Sequence, residues 1–366
     1  MTSASAGTLD EAYERLHATG PEFGGFLSNH GPMAAEAMVR HGHSDLVGSW
    51  LDGYMRRLEE FPRGLSPIVS DWQEALGDLR RVADWTTFFR AELGERPWRE
   101  VLNAWWPRLL PGVVAAATHG VIRVGHAVRA LLADGDDPSH LAELAHGLAY
   151  WAARWQTLPG GHAGASAAAA ASRARAATPL DSLAAIPRIA EQAGGIGDRL
   201  ARLGALAAWP AALADFSVPA APEQIRALLA ELVDAATVRY LFYGHGNGVM
   251  LVHSATAPSA VLRTLPALDH GLWAPSLSAS WAASSALTAV YAPAEPAPRA
   301  QLPEPPGGQS REETAREVFA RAVEHGDAHV IKFADTAVDV FARSGNPDAM
   351  AAALRAAQLI APGRRS

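Results

Sequence analysis

Val113-Val-Ala-Ala-Ala-Thr-His-Gly-Val-Ile-Arg-Val-Gly-His-Ala-Val-Arg-Ala-Leu-Leu132 runs for twenty residues without a proline, directly after the break at Pro111-Gly112. The stretch reads as a long helix, and the same texture extends to both sides of it. Residues 46–61, 72–93 and 98–110 carry apolar side chains at three- and four-residue spacing, and 139–155 does the same. Upstream, Thr8-x-x-Glu11 has the form of a capping box opening a short helix to about Ala18. Pro21, Gly24 and Gly25 then make a loop, and Asn29-His30-Gly31-Pro32 leads into a helix over 33–39, with Pro32 suited to its first turn. Strand evidence is thin: 240–243 and 249–252 are short apolar runs that suit buried helix equally well. The expected fold class is all-α.

Two stretches punctuate the pattern. Residues 159–178 are rich in glycine and alanine, with Arg173 and Arg175, and read as a mobile connector or a solvent-facing loop. Residues 292–309 hold six prolines and read as an extended linker. Beyond it, 311–361 reads as two or three helices stopped at Gly326 and at Gly345-Asn346-Pro347. That segment is too small to fold comfortably alone, so it is expected to dock on the rest and complete a single large helical domain over 1–366.

Composition narrows the chemistry. The 366 residues contain no cysteine, which excludes disulfides, a thiolate nucleophile, zinc fingers and iron–sulfur clusters. A net charge of −7 without a basic block argues against nucleic acid or an anionic membrane as the main partner. Residues 1–10 lack the basic and apolar regions of a signal peptide, and the longest uncharged stretch, 271–294, is broken by Pro275. A cytoplasmic protein is expected.

Of 31 lysines and arginines only one is a lysine, Lys332. Arginine replaces lysine where a positive charge suffices, but not where an amine must lose its proton or react. Lys332 lies in Asp327-Ala-His-Val-Ile-Lys-Phe, three residues after His329 and among apolar neighbours, where burial would free the neutral amine. Such an amine can form a Schiff base, act as a base, or take up carbon dioxide as a carbamate that offers a metal an anionic oxygen. Alternatively, Lys332 reaches outward to pair with Asp335 or Asp339.

Fourteen histidines supply further candidates. His119 and His126, seven apart, return to nearly one helical face about 10 Å apart along the axis, with Gly120 and Gly125 leaving room for a partner helix or a ligand. His30 sits at a loop-to-helix junction, and His253 follows an apolar run with Thr256 one turn on. His41-Gly-His43 reads as a solvent-exposed helix end, and His17, His140, His162 and His325 as surface or end positions. There is no His-Glu-x-x-His, no nucleophile elbow and no phosphate loop. Gly195-Ile-Gly197 fails as a dinucleotide fingerprint because Leu200 takes the third glycine position.

The strings Phe23-Gly-Gly-Phe-Leu-Ser-Asn-His-Gly-Pro-Met, His119-Gly-Val-Ile-Arg-Val-Gly-His126-Ala-Val-Arg, His146-Gly-Leu-Ala-Tyr-Trp-Ala and Asp327-Ala-His-Val-Ile-Lys-Phe together resemble the questin oxidase-like family, over about residues 9 to 345. The resemblance implies helices packed around a buried metal site and a flavin-free oxygenase that opens a ring of an anthraquinone or related aromatic polyketide, a Baeyer–Villiger-like C–C cleavage with dioxygen. It implies non-haem Fe(II) held by histidines drawn from His30, His119, His126, His253 and His329, with Lys332 as N6-carboxylysine and NADPH as a reductant. Thr256 would donate a hydrogen bond to the carbamate or the bound oxygen. Phe26, Trp105, Trp106, Trp151 and Trp155 would wall a flat substrate. Two other classes suit the same residues: a hydrolase using a carbamylated lysine, and a metal-free binder of aromatic polyketides.

Overall fold

Helix is nearly the whole of the regular structure, and its interruptions fall where glycine and proline fall. The computed structural model describes residues 3–160, 178–308 and 310–363. The first helices are α1 (Ser3–His17), α2 (Gly31–Arg40), α3 (Ser44–Met55), α4 (Val82–Glu95), α5 (Trp98–Leu109), α6 (His119–Asp134) and α7 (Pro138–Ala153). Three short ones, α8 (Pro179–Ala184), α9 (Ile196–Arg202) and α10 (Trp209–Ala214), lead to α11 (Pro222–Tyr243), α12 (Gly248–Leu251), α13 (His253–Thr264) and α14 (Trp273–Tyr291). The last are α15 (Arg311–His325), α16 (Ala328–Ser344) and α17 (Pro347–Leu359). Among the described residues the strands form one two-stranded antiparallel hairpin, β1 (Glu22–Phe23) with β2 (Leu27–Ser28). The fold is all-α. Both doubtful apolar runs, 240–243 and 249–252, are helical or lie at helix ends.

Four helices close a ring at the centre of the molecule, α2 packing on α6, α6 on α13, α13 on α16 and α16 back on α2. Missing side chains make the α6 contacts close. A Cβ at Gly125 would lie 2.7 Å from the Cα of Ala260 on α13, and one at Gly120 would lie 2.8 Å from the Cα of Trp151 on α7. Glycine inside a helix costs about 1 kcal/mol, and these packing contacts are what offset it. One continuous apolar core surrounds the ring, and α17 docks on α11, so the segment after the prolines packs on the body as expected.

Several boundaries differ from the expectations. Helix α1 begins at Ser3, so Thr8 and Glu11 lie within it and form no N-terminal cap. The loop at Pro21–Gly25 is the β1–β2 hairpin, with Gly24 and Gly25 at φ 58° and 89° in its turn. The helix over 46–61 stops at Met55. The helix over 72–93 is broken at Gly77, whose φ of 77° and whose hydrogen bond to the Ala152 carbonyl (2.9 Å) no helix interior allows. The helix over 113–132 starts only at His119, because Ala116, Ala117 and Thr118 take left-handed φ of 47°, 55° and 70°. The proline-rich stretch is no free linker. Ala297 and Leu302 are buried, Ala297 donates its N–H to the Phe242 carbonyl at 2.8 Å, and Arg299 in a single 3₁₀ turn pairs with Asp348 at 2.7 Å. Most of the expected 159–178 connector, with His162, lies outside the described residues. Among the described residues no helix is long and apolar enough to cross a membrane.

Candidate metal centre

Each helix of the ring carries a histidine at its N-terminal end: His30 caps α2, His119 and His253 open α6 and α13, and His329 is the second residue of α16. Six to ten residues farther along, the same helices meet again through polar and charged side chains, Glu36 on α2, His126 and Arg129 on α6, Arg263 on α13, and Asp335 and Asp339 on α16. Two layers meeting in the same chain direction mean that the four helices run parallel. Their N-terminal ends, where backbone dipoles leave partial positive charge, therefore converge on the histidines.

The four rings point inward. His119 Nε2 lies 2.7 Å from His30 Nε2 and 3.0 Å from His253 Nε2. The His30 and His329 ring centres are 4.2 Å apart, and one nitrogen from each of the four rings lies within 4.8 Å of all the others. The outer nitrogens explain the orientation. His119 Nδ1 meets the Ala116 carbonyl, His253 Nδ1 meets the Met250 carbonyl at 3.2 Å, and His329 Nδ1 meets Asp327 Oδ1 at 3.3 Å. Those oxygens can only accept, so each Nδ1 carries the proton and each Nε2 presents a lone pair to the centre. Bare lone pairs 3.0 Å apart repel. Two nitrogens bound at right angles to one ion at about 2.1 Å would themselves lie about 3.0 Å apart. The donor set fits a metal ion.

Local sequence holds the rings in place. Asn29 is fully engaged, its amide donating to Thr19 Oγ1 and the Gly20 carbonyl and accepting from the Gly31 N–H, each at 3.0 Å. The His30 N–H donates to the Tyr54 hydroxyl at 2.6 Å. Asp327 caps α16 by accepting from the His329 N–H at 2.8 Å while also holding that ring. Burial first, then the Lys332 charge and the neighbouring rings, push His30 and His119 well below the ordinary imidazole range. Burial, then His119 and Lys332, do the same to His253. Burial lowers His329 too, against the pull of Asp327. The imidazoles are therefore neutral and free to coordinate.

Lys332, one turn inside His329, is fully buried, and its Nζ has no hydrogen-bond partner. Burial brings its pKa down to about 7. It does not reach outward to Asp335 or Asp339, because both carboxylates are taken by arginines: Arg129 lies 3.0 Å from Asp335, and Arg263 lies 2.8 Å from each aspartate. Thr256, one turn inside His253, is likewise buried with an unpartnered hydroxyl. Other helical threonines, such as Thr237 and Thr264, return their hydroxyls to the carbonyl four residues back at 2.8 Å. Two polar atoms, each one turn inside a cluster histidine, are thus buried with nothing to bond.

A family model described as questin oxidase-like matches residues 35–337, well over half of the chain. The chain belongs to the questin oxidase-like family. Membership makes it an oxidoreductase of the oxygenase kind, acting on aromatic polyketides. A comparison with curated proteins finds no match.

Within this questin oxidase-like protein, His126 is not brought to the cluster. Its Nδ1 bonds Glu36 at 2.7 Å and its Nε2 faces Arg263 at 3.5 Å, so it belongs to the charged layer two turns below. Seven residues along one face gave the right side of the helix, but about 10 Å of rise separates the two rings' partners. The proposed aromatic wall also divides. Trp105 is buried against Trp72, Trp85 and Phe89, Trp106 donates to Ser276 at 2.8 Å and Trp151 to the Gly112 carbonyl at 2.9 Å, so these are core residues. Trp155 is half-buried over Gly112, and Phe26 is 75% exposed at the hairpin tip. His140 is at a helix end, as the third residue of α7, but is buried there, and His41 bonds buried Asp335 at 2.9 Å. Sequence reasoning missed Tyr54 and the Asp327 carboxylate. The Asp-x-His pattern at a helix start was the available signal for the second.

Proposed function

We propose that the chain is a cytoplasmic, single-domain non-haem iron oxygenase that cleaves a ring C–C bond beside a carbonyl in an anthraquinone or related aromatic polyketide, with NADPH as reductant. His30, His119, His253 and His329 would hold the iron, with Lys332 carbamylated. The observation that carries this reading is the unpartnered Lys332 amine, buried one turn inside His329 and close enough for its charge to act on all four convergent imidazoles. The four rings are neutral, four helix N-termini converge on them, and the one carboxylate at the cluster, Asp327, meets the outer nitrogen of His329, so the inward-facing nitrogens bring a cation no negative charge. Carbamylation corrects that. The neutral amine attacks carbon dioxide, an N–C bond forms as one C=O π bond opens onto its oxygen, the N–H proton passes to solvent, and a carboxylate-type anion replaces a neutral amine. Thr256 then donates its free hydroxyl to the new oxygen.

Ferrous iron bound there would supply electron transfer to dioxygen. The protein's part is positional. Asp327 and the Ala116 and Met250 carbonyls keep the Nδ1 protons in place and the Nε2 atoms inward. Burial keeps the imidazoles unprotonated, and the apolar core excludes water that would quench reactive oxygen chemistry.

Metal content of the wild type and of Lys332→Arg, purified without a polyhistidine tag, tests the reading. Near one iron per chain, largely lost in the variant with helicity intact, is expected, together with carbon-13 carbon dioxide giving a carbamate signal in the wild type alone. Zinc in place of iron would favour the hydrolase, and no metal in either protein would favour the metal-free binder.

A further inference from the structure

His329 is the member of the cluster that is not fully covered, its side chain 16% exposed, so the site opens past the start of α16. A stacked shelf stands at that opening. The Trp50 ring lies on the Tyr54 ring at 4.8 Å, nearly parallel, and the Arg57 guanidinium sits 4.4 Å over Tyr54 and 5.7 Å from the Phe23 ring. The shelf is tied to the site at two points. Tyr54 accepts the His30 N–H at 2.6 Å, and Trp50 donates to the Gly326 carbonyl at 2.9 Å, immediately before the Asp327 cap.

Arg57 is exposed and spends its Nε–H on the Tyr54 carbonyl at 3.3 Å. Among the described residues no carboxylate pairs with it, although most arginines around the site are paired. Its charge also acts at His329. A guanidinium seated over an aromatic ring keeps its outer N–H groups free to donate to a phenolate oxygen and an adjacent quinone carbonyl. Tyr54 is buried beneath Arg57, but half-buried Phe23 beside the guanidinium offers apolar surface for a flat ring system, and Phe26 stands exposed on the same hairpin, next to two glycines.

We propose that Arg57, held by the Trp50–Tyr54–Phe23 shelf, is the docking cation for an ionised phenol of the planar aromatic substrate at the open rim of the histidine cluster. The inference rests on the aromatic-polyketide reading of the site and adds to it a requirement for an acidic hydroxyl on the ring that enters.

The test is binding to the metal-loaded protein, followed by quenching of tryptophan fluorescence. The two probes are emodin, a trihydroxyanthraquinone, at a pH where its most acidic phenol is ionised, and its fully O-methylated ether. Wild type, Arg57→Gln and Arg57→Lys are compared, with metal content and melting temperature as controls. The expected result is at least a tenfold weaker Kd for emodin in Arg57→Gln, partly restored in Arg57→Lys. The ether should change less than twofold, and metal content and melting should stay as in wild type. Equal loss for both probes, or no loss for emodin, overturns the role of Arg57 alone. Failure of the wild type to bind either probe overturns the substrate reading and this inference with it.

Discussion

The Nε2 atoms of His119 and His253 face each other across 3.0 Å, and both Nδ1 atoms are already committed to backbone carbonyls. Neither ring can turn its proton inward without giving up that bond. Removing a bound metal therefore leaves an unshielded repulsion in the core. Exhaustive chelation is expected to lower the melting temperature by several degrees, and stoichiometric ferrous ion under anaerobic conditions to restore it. An unchanged melt after verified metal removal would count against a coordinating role for these nitrogens.

Lys332 should behave oppositely in the two states. In the metal-free protein its buried, unpartnered amine is a cost, and Lys332→Met replaces it with an apolar chain of similar length. We expect the metal-free variant to be more stable than metal-free wild type by roughly 2 kcal/mol. The same variant should bind little metal and show no oxygenase activity. Calorimetry of both proteins after chelation checks the sign.

Below the histidines, burial and the nearby arginines lower His126 to about 4, despite its bond to Glu36. The sign follows from which state holds more protons. Between pH 6.5 and 4 the unfolded chain binds a proton at His126 that the folded chain refuses, so stability falls as pH falls through that window. Glu36 acts lower down. Burial raises its pKa, but Arg129 and His126 overcome this and hold it at about 2, so its contribution is lost only below about pH 4.5. His126→Gln should flatten the slope between pH 6.5 and 4 by up to about 3 kcal/mol, read by urea unfolding at several pH values.

Gly125 is where α6 touches α13, the helices bearing His119 and His253. A methyl group there would meet the Ala260 Cα and carbonyl oxygen at 2.7 Å, both backbone atoms that cannot swing aside. Gly125→Ala is expected to cost about 1–3 kcal/mol despite alanine's better helix propensity, and to weaken metal retention by splaying the two histidines. Gly48, with open space around its Cα, is the control, since Gly48→Ala should stabilise α3 slightly.

Ala116, Ala117 and Thr118 stand in the left-handed region directly before His119, and the Ala116 carbonyl holds the His119 ring. Each non-glycine residue there costs about 1 kcal/mol or more. Ala117→Gly should raise stability by about 0.5–1 kcal/mol, after allowance for the greater freedom glycine has when unfolded. It should also loosen the carbonyl and weaken metal affinity. A gain in both properties would show that the strained turn plays no part in positioning His119.

Much was legible in the residues because it depends on neighbours in the chain. Apolar spacing marked the helices between 44 and 155 but placed none of those between 179 and 291, Gly326 and Gly345 ended α15 and α16, and the single lysine in Asp327-Ala-His-Val-Ile-Lys drew attention to itself because arginine cannot do an amine's work. The short motifs around His30 and His329 pointed to rigid helix starts for the same reason. What no spacing could say was how helices distant in the chain align. That His30, His119, His253 and His329 share one layer while His126 drops into another depends on four helices running parallel, with their N-terminal ends level. The start of α6 at His119, rather than six residues earlier, was equally hidden, since alanines at 115–117 favour helix and the left-handed turn exists only under tertiary packing. Local propensity and hydrophobic period thus determine the helices and nominate the chemistry. Register between helices, set by close contacts such as Gly125 on Ala260 and by the buried Glu36–Arg129–Asp335 ties, decides which nominees meet.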